Sequence, residues 1–242
     1  DVTGLPVVSV RSGAWRNMLY GLYISAAGLQ SQEYRQNITA NNLANAETTG
    51  FKRDLALAQA RLNPARENPS FQTYDSVLKQ APSGGVWSLP TGIDLSQASL
   101  EQTDNPKDVA LSGPGFFMVK SQNPAETLLT RDGRFMINEA GYLTMANSGR
   151  QVLDNNQNPI KLDATKPFNI TTQGQIIQDD TPVAQLAVVN VATSHDLEKR
   201  GNDLLAVKTD KSLQPTTTTQ VLQGKIETSG VNPLVEMVNM LE

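Results

Sequence analysis

The side chains that could carry chemistry are few and badly placed for it. The single histidine, His195, sits in "ATSHDLEKRG", a polar stretch after an apolar run. A general base needs a partner that orients it, and this setting reads as a solvated turn. "SGPGFF", residues 112–117, has two glycines but neither the lysine of a phosphate loop nor the spacing of a dinucleotide fingerprint, and reads as a turn entering the strand "FFMV". Asp154, Asn156 and Asn158 in "DNNQNPIKLDAT" occupy the first three ligand positions of a calcium loop. Pro159, however, stands where that loop needs glycine and Thr165 where it needs glutamate, so a hairpin loop is the better reading. No serine can be tied to a histidine and an acid, and the carboxylates are dispersed, with spatial pairs left for the fold to decide. The sequence assigns no catalytic residue, no metal site and no cofactor.

Composition narrows the remaining classes. The chain has 242 residues, 38% apolar and 18% charged, enough for one sizeable core and a second, smaller packing unit. Its formal net charge is −4 with no block of like charges, so the electrostatic footprint for nucleic acid or anionic lipid is missing. There is no cysteine, which excludes disulfide scaffolds and thiolate metal sites and suits life outside the cytosol. No run approaches the ~20 apolar residues of a membrane span, so no membrane insertion is expected. Residues 1–17, "DVTGLPVVSVRSGAWRN", precede Met18 and lack the apolar core of a secretory signal; they are expected to be an extraneous leader.

The elements that would position a site fall into three textures. Residues 18–55 read as an N-terminal helix and turn. From Leu19 to about Asn45 there is no proline, and Leu22, Ala26, Leu29, Ala40 and Leu43 recur on one seam at a period near 3.5, with Glu33 and Gln36 in its middle. Thr48, Thr49 and Gly50 end the helix, glycine supplying the left-handed turn. Residues 56–92 read as an extended connector, with prolines at 64, 69, 82 and 90. Residues 93–215 read as a central antiparallel β domain. In "LLTRDGRFMINEAGYLTMANSGRQVL", Asp132-Gly133, Gly141 and Gly149 mark the turns of a meander, and "VAQLAVVNVA", residues 183–192, is expected to be one central strand. Phe117, Val119, Phe135, Ile137, Leu143, Leu186, Val188 and Val189 are the predicted core. Residues 216–242 read as a return strand and a C-terminal helix in which Leu234, Met237, Val238 and Leu241 share one face at i, i+3, i+4 and i+7. Eleven residues from Asn232 cannot hold a helix alone, so the sequence predicts that both termini order on assembly. The fold class is mixed α and β.

Four stretches carry a resemblance. "LYISAAGLQSQEYRQNITA" running into "NNLANAETTGFKRD", then "SLEQTDNPKDVALSGPGFFMV", "LTRDGRFMINEAGYLTMANSGRQVL" and "IETSGVNPLVEMVNMLE" resemble, in order, the motifs of the flagellar rod and hook family of bacterial axial proteins. The resemblance implies a non-enzymatic building block of the basal body, exported through the flagellum's own secretion apparatus without a cleaved signal and polymerised with copies of itself and other axial proteins. It implies terminal helices pairing as a coiled-coil assembly layer, with the β domain further out and Gly50 and Phe51 at the family's motif turn. Leu22, Ala26, Leu29 and Leu43 would supply apolar contacts at one end, and Leu234, Met237, Val238 and Leu241 at the other. Asn41, Asn42 and Asn45 would fix register through amide hydrogen bonds at some cost in stability. Length favours a rod protein, of the proximal or the distal type, over a hook protein, and of the two types the proximal is preferred. Residues 1–17 have no counterpart in the family, and its terminal helix runs on beyond the position of Glu242, so this chain is expected to be truncated. The competing reading is a secreted β-rich hydrolase or carbohydrate-binding module braced by its helices. Its aromatic candidates, Phe116, Phe117, Phe135, Tyr142 and Phe168, have strand-interior patterns that suit a core better than an exposed platform.

Overall fold

A computed structural model describes residues 12–60, 86–123, 126–191, 193–201, 203–208, 213–216 and 218–241. The chain divides into two units, Asp1–Ile38 with Ala56–Thr91, and Thr39–Leu55 with Gly92–Glu242. In chain order the elements are helix α1 (Ser12–Ala44), then β1 (Asp54–Leu55), β2 (Ala58–Ala60), β3 (Val86–Ser88), β4 (Gly92–Ile93), β5 (Leu100–Gln102), β6 (Val109–Ser112), β7 (Phe116–Val119), β8 (Leu128–Thr130), β9 (Phe135–Ile137) and β10 (Leu143–Met145). There follow β11 (Phe168–Ile170), β12 (Gln175–Gln178), β13 (Thr181–Gln185), β14 (Val188–Val191), β15 (Leu197–Lys199), β16 (Leu204–Val207), β17 (Leu213–Pro215), β18 (Gln220–Gln223), β19 (Lys225–Glu227) and helix α2 (Pro233–Leu241). Among the described residues no helix is long and apolar enough to cross a membrane.

The first unit holds most of α1 and the ribbon of β2 with β3, in antiparallel register Gln59 opposite Trp87. The helix begins at Ser12, ahead of Met18, so part of the stretch read as a leader belongs to it. The expected connector is described only near its ends. There Val86–Ser88 is a paired strand rather than a free linker, because the Leu89 N–H and the Leu57 carbonyl extend the β2–β3 ladder.

The second unit is built on a six-stranded antiparallel sheet in the order β15-β16-β8-β7-β14-β17. Both faces of this sheet are covered, which is why its strands read as unbroken apolar runs instead of alternating ones. Phe117 and Val119 of β7 face one core with Phe135, Leu143 and Leu186, while Phe116 and Met118 face a second with Leu129, Leu153 and Val191. Of the predicted core, Phe117, Val119, Phe135, Leu143 and Leu186 are buried in the first cluster with Ile137 and Val188 against it, and Val189 packs on the second. A three-stranded sheet, β11-β12-β13, and the hairpin of β9 with β10 complete the first core.

Two expected turns of the chain come out differently. The apolar run at 183–192 is not one strand: β13 ends in the three-stranded sheet, and the chain bends at Leu186 and Ala187 before β14 enters the six-stranded sheet. Leu186, with Ala184 and Val188 beside it, packs on the first core, while Ala187, Val189 and Val191 pack on the second, so the run serves two sheets and two cores. Asp132-Gly133 likewise closes no hairpin, since β8 pairs with β7 and β16 while β9 pairs with β10. The dipeptide is a corner between sheets, where a Cβ on Gly133 would overlap the Val109 carbonyl. Gly141 and Gly149 do sit at left-handed turns, the first of them inside the β9–β10 hairpin.

The C-terminal strands return along the start of the domain. β18 pairs with β6 and β19 with β5, so that residues 220–227 run antiparallel to 100–112 with Gly224 between the two ladders. This places Glu227 and the residues after it beside the segment that follows α1.

Candidate functional site

The turn after α1, the Arg131 corner and the end of β19 meet at one buried point. Gly50 has φ +72, and a side chain there would collide with the Arg131 and Asp132 backbone. Only glycine permits this approach. Its N–H donates to the Glu227 carbonyl at 2.8 Å, the Gly230 N–H donates to the Phe51 carbonyl at 2.9 Å, and the Asp94 N–H donates to the Arg53 carbonyl at 2.9 Å. Residues 50–53 are thus stitched to the C-terminal return on one side and to the start of the β domain on the other.

An ionic knot lies at the centre. The Glu227 carboxylate accepts from Lys52 Nζ at 2.7 Å through one oxygen and from Arg131 Nη1 at 2.8 Å through the other. The Ala98 N–H adds a third bond to Glu227, Lys52 also donates to the Ser96 carbonyl, and Arg131 to the Gly113 carbonyl. All three residues are 3% exposed or less. Charges this deep are tolerated because they are paired and hydrogen-bonded; Arg131 Nε alone among their buried side-chain donors lacks a partner. Burial pulls both the Lys52 ammonium and the Arg131 guanidinium below their ordinary pKa, and Glu227 opposes the shift in each.

A second ring of contacts holds the neighbouring residues. Lys199 pairs with Asp54 at 2.9 Å, donates to the Lys52 carbonyl, and stands 3.9 Å from the centre of the Phe51 ring. Burial lowers its pKa against the pull of Asp54. Nearby, burial and the Asp132 carboxylate raise the Asp203 carboxyl to about 6, against Arg134 and Lys199.

The expected assembly residues fall into two groups. Leu22, Ala26 and Leu29 of α1 are exposed, as are Leu234, Met237, Val238 and Leu241 of α2, with Leu29 at 72% and Leu241 at 89%. Leu43 is half-buried. Both stripes therefore stand open in the single chain, and the apolar stripe of α2 faces away from its own domain. The α2 helix is formed in the single chain, with Asn232 Oδ1 accepting from the Leu234 and Val235 N–H groups and Pro233 at its first position.

The asparagines divide as well. Asn42, expected on the seam, is 2% exposed, and its amide takes both backbone groups of Asp54, donating to the carbonyl and accepting from the N–H at 2.9 Å each. It faces inward because the chain reverses after α1 and leaves the Asp54 peptide groups to be satisfied there. Asn45 donates to the Asn41 carbonyl, closing a last-turn acceptor of the helix, and its own carbonyl accepts from Ser229. Of the three, Asn41 alone is exposed.

His195 is an exposed residue in a 3-10 turn, its carbonyl accepting from Lys208. Asp154 accepts from the Asn156 and Asn158 N–H groups, an Asx-type loop with its acceptor already used. Sequence reading missed Lys52, Arg131, Glu227, Asp54, Lys199 and Glu236. For Lys52, Asp54, Arg131 and Glu227 the available signal was their place inside the motifs "TTGFKRD", "TRDGRF" and "IETSG"; Lys199 and Glu236 lie outside these, and nothing in the residue types of the six distinguished them from solvated charges.

Residues 22–52 match the family described as flagella basal body rod protein, and residues 110–178 match the flagellar hook protein FlgE/F/G D1 domain. The chain is 34% identical to the flagellar basal-body rod protein FlgG of Buchnera aphidicola subsp. Schizaphis graminum, over 93% of this chain and 90% of that one. It is 31% identical to the flagellar basal-body rod protein FlgF of Caulobacter vibrioides, over 91% and 86%, and 30% identical to FlgF of Escherichia coli, over 90% and 86%.

Proposed function

The chain belongs to the flagellar basal-body rod proteins, and from that premise we propose that it polymerises through its two terminal helices, packing against copies of itself and other axial proteins of the flagellum. It is a structural subunit of the basal-body rod and not an enzyme. Delivery by the flagellar export apparatus and pairing of the helices as a coiled-coil layer belong to the same proposal.

One observation carries it. The α2 helix exposes Leu234, Val235, Met237, Val238, Met240 and Leu241 to solvent and buries only Glu236, the reverse of a helix bracing its own domain. Leu22 and Leu29 on α1 are open in the same way, seven residues apart on one face. A rod subunit needs such faces uncovered until a neighbour arrives, and the knot of Lys52, Arg131 and Glu227 ties the turn after α1 to the C-terminal return that leads into α2.

The chain has no cysteine, so introduced pairs report cleanly. With Leu29→Cys and Val238→Cys in the complete gene, oxidation of isolated basal bodies is expected to give intersubunit disulfides, and oxidation of dilute monomer none. Basal bodies that incorporate the variant without cross-linking would refute helix pairing.

A further inference from the structure

We propose that Arg53 and Glu236 form an ionic clip that sets the rotation of α2, holding its apolar residues outward for the neighbouring subunit. The proposal rests on assembly through the terminal helices and names what presents one of them.

Glu236 is the buried residue of α2, 3% exposed, while the apolar residues around the same helix are 42% to 89% exposed. A helix docked by apolar packing buries its Leu, Val and Met and leaves its glutamate in water. Here the preference is inverted, and the group facing Glu236 Oε1 is Arg53 Nη1 at 3.6 Å. Arg53 is held from three sides: its carbonyl accepts from the Asp94 N–H, its other terminal nitrogen lies 3.7 Å from Asp94 Oδ2, and its neighbour Lys52 is locked in the knot. Hydrogen bonds to Ser96 keep Asp94 charged by lowering its pKa, with Arg53 adding to the effect. The guanidinium thus sits between two carboxylates, one fixed to the β domain and one on the helix.

The chain leading into α2 fixes its position but not its rotation. Ser229 and Gly230 are bonded to Asn45 and Phe51, and Val231 is buried. Asn232 then caps the first turn. Glu236 lies one turn further on and is the side chain that can choose which face turns toward the domain. Without its partner a buried carboxylate would turn toward water, carrying the nine-residue helix with it.

The test is amide hydrogen exchange on the full chain as dilute monomer, read at residues 234–241 for Glu236→Gln, Arg53→Gln, the double variant and Arg53→Lys. Each Gln variant is expected to speed exchange roughly tenfold, as for loss of a partly buried ion pair. The double variant should exchange no faster than either single one, and Arg53→Lys should retain most of the protection. Unchanged exchange in Glu236→Gln, or additive effects in the double variant, would overturn the clip. Polymerisation of the same proteins separates the two readings. A wild-type chain whose α2 obeys the cycle but never assembles keeps the clip and refutes assembly; normal assembly with exchange unmoved by Glu236→Gln does the opposite.

Discussion

Glu227→Ala is the substitution that most directly tests the buried knot. It removes the shared partner of Lys52 and Arg131, both of which are nearly inaccessible to water, and leaves the Ala98 N–H without its acceptor. Stranding buried charge in this way costs about 3–5 kcal/mol, and an orphaned amide adds about 1–3 kcal/mol where water cannot reach it. Against a typical domain stability of about 5–15 kcal/mol this is a large fraction. The loss is also pH-dependent. Burial already lowers the Lys52 pKa, so the unfolded chain binds the more protons as Lys52 titrates, and stability rises with pH toward the ordinary lysine value. Removing Glu227 takes away the interaction that opposes this shift and deepens it. The deficit of the variant is therefore expected to shrink as pH rises toward the ordinary lysine value of 10.5, as Lys52 sheds its proton; Arg131 cannot do so. Urea unfolding followed by circular dichroism measures both quantities. A deficit below about 1 kcal/mol, or one that does not change with pH, would show that the three charges are solvated and that the knot does not hold the segments together.

Asn42→Leu is expected to destabilise the monomer by about 2–3 kcal/mol, since the Asp54 N–H and carbonyl lose both partners, with the Asp94 end of β4 loosening first in hydrogen exchange. Met237→Asp should leave the monomer's melting temperature unchanged, because Met237 is 43% exposed, and should block polymerisation seen by sedimentation. Asp203→Asn should stabilise the protein near neutral pH. Its carboxyl is raised from 3.8 to about 6, so the folded state binds more protons between those values and the charged form weakens the fold above them. The shift corresponds to at most ~3 kcal/mol, reduced to about 1 kcal/mol by screening at a part-exposed side chain. The gain should vanish as pH falls to about 4, which thermal unfolding across pH would reveal.

The sequence by itself determined the local elements and the apolar sets. The proline-free, small-residue stretch before Gly50 reads as helical, the run "FFMV" as a strand, and the i, i+3, i+4, i+7 stripe of Leu234, Met237, Val238 and Leu241 marked a helix with one apolar side. These follow from periods of two to four residues, which the chain carries in its order. Tertiary structure decided which way those sides face. The α2 stripe looks outward because Glu236, not an apolar neighbour, meets the domain, and Asn42 looks inward because Asp54 folds back beneath it. The run at 183–192 could not disclose that it would break between two sheets, since both halves are equally apolar. Least legible was the knot. Glu227 lies 175 residues from Lys52 and 96 from Arg131, and each reads locally as a surface charge. Ion pairing acts through distance in space and leaves no period along the chain, so only the return of β19 along β5, beside the Gly50 turn, could bring the three together.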